Sequence, residues 1–168
     1  MDPLSFGTAE IFIRLSISLL LGSLLGIERL LAGKTAGMRT YALVSMGSAV
    51  FILITLMVAK QFVTFDAFNN FDPLRMASQI IVGIGFLGAG LIVFKDAKIR
   101  GLTTAAGLWV SSGIGMSVGF GFFELAIMTT GLTLFVFTIL GYVKEKIEHL
   151  PYFKFLRAGE DPDEGEVI

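Results

Sequence analysis

The sequence is 168 residues long, with 54% hydrophobic and 16% charged side chains, a net charge of −1 and no cysteine; its mean hydropathy is +0.79. Soluble domains carry about a quarter charged residues, so this balance points to a membrane protein. It excludes disulfides, cysteine-based zinc sites and thiol chemistry, gives no electrostatic basis for nucleic-acid binding, and leaves one histidine, His149, too few for an imidazole metal site.

The chain opens MDPLSFGTAE, with two acids and no base. A secretory signal wants a basic leading region, so the first apolar segment is expected to be retained. Crossing the hydrocarbon core takes about 20 apolar residues. Leu15 to Ile27 is short of that, and reaches it by extending past Arg14 to Thr8, which predicts a helix over 8–27. Glu10 precedes Arg14 by four, the favourable order for a helical ion pair, and Arg14 can snorkel outward. The next charge-free runs predict helices over 40–59, 75–94, 102–118 and 122–143, with Gly119-Phe120-Gly121 as the last turn. Asp72-Pro73 supplies an N-cap and a proline at the first helical position for the third helix. The fold class expected is all-α, a polytopic integral membrane bundle of five transmembrane helices. The alternative is four spans with the polar, glycine-rich segment 102–118 re-entrant.

Lysine and arginine set orientation. With the N-terminus outside, ten of the thirteen basic residues fall inside, and Arg14, Lys60 and Arg75 fall outside. This supports N-out and C-in. The transmembrane domain is expected to occupy 1–145 and a short cytoplasmic tail 146–168. In the tail, Lys144 to Arg157 is basic and aromatic and suits the inner interface, while AGEDPDEGEVI is acidic and expected to be disordered.

Gly83-Ile84-Gly85-Phe86-Leu87-Gly88 matches the dinucleotide fingerprint G-x-G-x-x-G. That motif needs a preceding strand and an acid about 20 residues on. Here it sits inside an uncharged run, Met76 to Phe94, where no phosphate would reach it. Helical periodicity explains the glycines better. Gly83 and Gly90 fall on one side with Met76 and Gln79; Gly85, Gly88, Ala89 and Ser78 fall opposite. Ile80, Ile84, Leu87 and Leu91 form a bulky stripe between them. Small residues let membrane helices approach closely, so this helix is expected to be gripped from both sides, with the stripe facing lipid or a second copy in a homodimer. Segment 102–118 repeats the theme with Gly107 and Gly113. Ser78, Gln79, Thr103, Thr104, Ser111 and Ser112 read either as packing groups or as a polar path between the two helices.

Two further patterns fail on chemistry. Gly115-Met116-Ser117-Val118-Gly119 matches G-x-S-x-G, but the sole histidine lies beyond the far end of the next helix, about 30 Å of bilayer away, so Ser117 has no base. Gly33-Lys34-Thr35 lacks the earlier glycine of a phosphate-binding loop, because Glu28 stands there.

The charged residues form a more coherent set. Glu28-Arg29 ends the first helix, and Arg39, Arg75 and Arg100 begin the second, third and fourth. A cation is unfavourable at a helix N-terminus, so each arginine is expected to have a partner: Asp72 for Arg75, and an inner network of Glu28, Arg39, Asp96 and Arg100. Binding to lipid phosphate explains them equally well. Magnesium takes one or two carboxylates with retained waters, and Asp72 and Glu124 are the best-placed candidates.

The stretches GIERLLAGKTAGMRTYALVSMG, DPLRMASQIIVGIGFLGAGLIV and IRGLTTAAGLWVSSGIGMSVGFG, in that order, resemble the successive signatures of the MgtC/SapB family of bacterial membrane proteins. The resemblance covers about residues 15 to 140. It implies that the characteristic polar positions are Glu28, Arg29, Lys34, Arg39, Thr40, Asp72, Arg75, Gln79, Arg100, Thr103, Thr104 and Trp109. It also implies a multi-pass protein of the bacterial inner membrane tied to adaptation to low magnesium, with the F-type ATP synthase as a membrane partner. Longer members add a soluble C-terminal domain, and here a short charged tail stands in that place. The function expected is non-enzymatic modulation of a membrane partner in magnesium homeostasis, with no cofactor beyond possible Mg2+. The alternative is a magnesium or other cation channel or transporter.

Overall fold

The computed structural model describes residues 7–63, 72, 74–95 and 98–148. Five long helices follow one another: α1 (Thr8–Leu31), α2 (Met38–Val63), α3 (Leu74–Leu91), α4 (Leu102–Phe120) and α5 (Phe123–Phe135). A two-stranded antiparallel hairpin, β1 (Val93–Lys95) and β2 (Lys98–Arg100), joins α3 to α4. A π-helical turn (Val136–Leu140) and α6 (Gly141–Glu148) follow α5. The chain divides into a unit ending at Leu134 and a unit beginning at Phe135. In the second, the described part is the π turn and α6, which runs past the expected domain boundary at 145. The residues beyond 148, including most of the expected tail, lie outside the described residues.

Among the described residues, four helical stretches are long and apolar enough to cross a membrane: Thr8–Leu31, Met38–Lys60, Leu74–Leu91 and Phe123–Val143. Helix α4 falls outside this set because serine, threonine and glycine dilute its hydropathy. It is nevertheless one unbroken helix of 19 residues, about 28 Å at the helical rise.

The third helix ends sooner than its apolar run. Val93, Phe94 and Lys95 leave the helix and pair with Arg100, Ile99 and Lys98. Gly101 explains why the chain can turn there. It sits at φ 93° as the N-cap of α4, in the left-handed region that disfavours side chains, and a Cβ would overlap the Leu91 carbonyl oxygen.

The helix gripped from several sides is α4. Helices α1, α2 and α3 all pack on it, and ten of its residues are buried, from Thr104 to Gly119 at spacings of three and four. On α3, only Ile84 and Gly88 are buried. Gly88 meets Ala105 of α4, whereas Gly83, Gly85 and Gly90 have no atom of the described residues within reach of an added Cβ. The reason lies in α2. It presents a row of small residues, and two G-x-x-x-G pairs close on it. Gly22 of α1 is seated against the Tyr41 carbonyl and Ser45, and Gly26 against the backbone of Met38. Gly115 of α4 lies on the Ser45 carbonyl, and Gly119 on Ile52. Tight packing of this kind, not hydrophobic transfer, holds helices together in lipid.

Candidate functional site

Three groups of polar residues carry the candidate chemistry. The first is the junction of α1 and α2. Helix α1 ends as Ala32 N–H donates to Glu28 O and Lys34 N–H to Arg29 O, with Gly33 at φ 65° making the turn. This brings Glu28 and Arg29 into an ion pair through Oε2 and Nε. Arg29 is only 4% exposed. An ion this deeply buried needs its partner, because desolvation costs several kcal/mol unless it is offset by pairing.

The second group is a seam of hydroxyls between α2 and α4. Tyr41 donates through its phenol to Thr104 O at 3.2 Å. Ser111 donates to Tyr41 O at 2.9 Å, and the Ser48 and Ser112 hydroxyls share a bond of 2.8 Å. Ser45, also fully buried, has no hydrogen-bond partner for its Oγ among the described residues. Its usual recourse in a helix, the carbonyl four residues back, is the Tyr41 oxygen that Ser111 already bonds.

The third is a groove of about 610 Å³ between α2 and α3, lined on one side by Arg39, Thr40, Leu43, Gly47 and Phe51 and on the other by Gln79, Ile80, Gly83, Ile84 and Leu87. Ile84 is thus turned into the chain, and the stripe Ile80/Ile84/Leu87 faces α2 rather than a second copy alone.

The expected polar cluster is therefore divided. Glu28 and Arg29 are together. Arg39, Gln79 and Gly83 share the groove. Thr104 belongs to the seam through its carbonyl, while Thr103 and Trp109 are exposed. Arg39 has no ion-pair partner among the described residues, and Asp96, the expected fourth member of the inner network, lies outside them. Arg100 sits exposed in β2, across from Val93. The expected path of Ser78, Gln79, Thr103, Thr104, Ser111 and Ser112 does not run between α3 and α4. Ser111 and Ser112 turn to α2, and Ser78 bonds the Arg75 carbonyl of its own helix at 2.7 Å. In α4, Gly107 is buried and Gly113 stands open.

At the opposite end of the bundle, Asp72 caps α3 by accepting the Leu74 N–H at 2.9 Å, and its carbonyl accepts the Arg75 N–H at 3.2 Å. Glu124 lies in the first turn of α5. No group of three or more His, Cys, Asp or Glu able to hold a metal occurs among the described residues. The unexpected feature here is Arg14. It pairs with Glu10 at 2.5 Å, donates to the Gly119 carbonyl at 2.8 Å, and lies 5.9 Å from the Phe123 ring centre. A cation at a helix C-terminus is favourable, so Arg14 closes the end of α4.

Sequence comparison places these features in a family. The MgtC family model matches residues 15–146. A protein of Escherichia coli K12 named putative magnesium transporter YhiD is 41% identical over 132 residues, 79% of this chain and 61% of that relative. Protein MgtC of Salmonella typhimurium is 41% identical over 139 residues, 83% of this chain and 56% of the relative. An uncharacterized Haemophilus influenzae protein is 39% identical over 125 residues, 74% of this chain and 52% of the relative. The chain thus spans little more than half the length of the curated relatives it matches. No solved structure matches. The matched region takes in α1 from Leu15 onward and all of α2 to α5, the seam and the groove alike, and the chain belongs to the MgtC family.

Proposed function

We propose that this chain is a non-enzymatic, multi-pass protein of the bacterial inner membrane that acts in magnesium homeostasis by binding and modulating another membrane protein. Five spans with the N-terminus outside accommodate α4 as a full crossing, and they put Glu28, Arg39, Lys95, Lys98 and Arg100 at the inner end. The observation that carries the reading is the use of the buried hydroxyls. Tyr41, Ser48, Ser111 and Ser112 are bonded within the α2–α4 seam, and Gly115 and Gly119 seal it against Ser45 and Ile52. A conduit would keep such groups facing an open path. Helices α2, α3 and α4 also carry no acidic residue, and coupled transporters place one within the membrane. The charged inner end is the surface left for a partner, and the family resemblance makes the F-type ATP synthase a candidate.

Growth in low magnesium tests this in a strain lacking its own copy. Arg39→Ala and Arg100→Ala are expected to reduce rescue strongly, and Lys98→Ala little, at equal membrane levels. Equal effects of all three would leave only general attraction to anionic lipid and overturn the reading.

A second reading, magnesium transport, is favoured by the name of the Escherichia coli relative. In it, Asp72 and Glu124 would meet the hydrated ion at the outer face.

A further inference from the structure

We infer that the groove between α2 and α3 is a binding site for one anionic glycerophospholipid, its phosphate on Arg39 and one acyl chain laid along Gly47 and Gly83. The groove's chemistry is that of an amphiphile. One end carries an exposed guanidinium with the Thr40 hydroxyl next to it, and the remaining walls are almost wholly apolar. Two polar side chains stand along those walls: Ser48, already bonded to Ser112 and to the Val44 carbonyl, and Gln79, exposed on α3. Arginine matches a phosphate's geometry and charge, and among the described residues no carboxylate competes for it.

Length decides between a lipid and a helix. On α2 the lining runs from Arg39 to Phe51, about 18 Å at the helical rise. That is close to one leaflet, half of the roughly 30 Å hydrocarbon core. A docked transmembrane helix would need contact over the whole core. The volume of about 610 Å³ lies in the range of small-ligand sites, roughly 300–1,000 Å³. The glycines set the width: neither Gly47 nor Gly83 has an atom within 4 Å of an added Cβ, so space is left where a side chain would fill it.

The test uses the purified full chain, washed in detergent and examined by native mass spectrometry with phosphatidylglycerol or phosphatidylcholine added. Gly83→Leu fills the groove without striking backbone. Gly85→Leu is the control, equally open on the same helix but not lining the groove. The wild type and Gly85→Leu are expected to retain one phosphatidylglycerol per chain, and Gly83→Leu to lose it. Arg39→Gln is expected to lower the preference for phosphatidylglycerol over phosphatidylcholine roughly tenfold, the scale of one charge-assisted hydrogen bond. Equal retention by all variants would overturn the proposal. So would a Gly83→Leu protein that keeps its lipid while a dimer falls to a monomer, which would assign the groove to a second copy. The readout is lipid retention by the isolated chain, so it succeeds or fails independently of any partner or of magnesium.

Discussion

Gly115 of α4 lies directly against the carbonyl oxygen of Ser45 in α2, so closely that a Cβ could not be placed there. This contact sets the distance between the two helices, and the hydroxyl bonds on either side of it depend on that distance. Gly115→Ala is expected to destabilise the bundle by about 1–3 kcal/mol through overpacking. Gly113→Ala, at an open position of the same helix, is expected to be neutral or to gain up to about 1 kcal/mol in helix propensity. Unfolding of the two variants in mixed micelles checks the difference.

Ser45 gives a prediction of opposite sign. A buried hydroxyl without a partner carries its full desolvation cost, about 1–3 kcal/mol. Ser45→Ala is expected to stabilise the protein, and Ser111→Ala, which frees the Tyr41 carbonyl of its bond, to destabilise it by roughly 0.5–1.5 kcal/mol. The same unfolding assay reads both, and loss of stability in Ser45→Ala would contradict the assignment.

Arg14 joins the first helix to the last turn of α4. Its bond to the Gly119 carbonyl spans 105 positions of sequence. Arg14→Ala is expected to cost about 2 kcal/mol, since a bond from a charged donor is lost at a partly buried carbonyl. Glu10→Ala is expected to cost well under 1 kcal/mol, because Glu10 is 44% exposed and water screens the pair. Arg14→Lys, which keeps charge but not the fork, is expected to fall between them.

The Glu28–Arg29 pair behaves differently. Removing one member of a buried pair strands the other, and Arg29→Ala is expected to lower stability by about 3 kcal/mol or more. Arg39→Ala, at an exposed position, is expected to leave stability within about 0.5 kcal/mol. Membrane accumulation of each variant, set beside growth in low magnesium, separates folding from function.

Helices α2 to α5 are legible in the sequence as uncharged runs, and α1 as a shorter one, Leu15 to Ile27, extended back past Arg14. Their ends are less so. Leu91-Ile92-Val93-Phe94 continues the apolar run of α3 without a break, and nothing in its composition separates the helical Leu91 from the paired Val93. Glycine density and glycine spacing point to different helices. Four glycines in eight residues lie on α3, whereas the close helix–helix approaches come from pairs four apart, Gly22/Gly26 and Gly115/Gly119. That spacing is present in the sequence, and at 115–119 it overlaps a serine-hydrolase pattern. Which small residues on α2 receive them depends on tertiary placement. The same holds for Arg14 and Gly119, and for Tyr41, whose aromatic ring gives no sequence signal of a bond to Thr104. At the candidate site, charge and position brought out Glu28, Arg29 and Arg39, while the groove beside Arg39 arises only when α3 leans on α4 and leaves α2 partly uncovered.

The central claim, that this is a regulator with its polar seam closed, is tested most directly by magnesium flux. Purified protein in liposomes, with a trapped magnesium indicator and an imposed gradient, is expected to show no flux above that of empty vesicles, with or without Asp72→Asn. Flux well above empty vesicles that disappears in Asp72→Asn would make the chain a conduit and contradict the account.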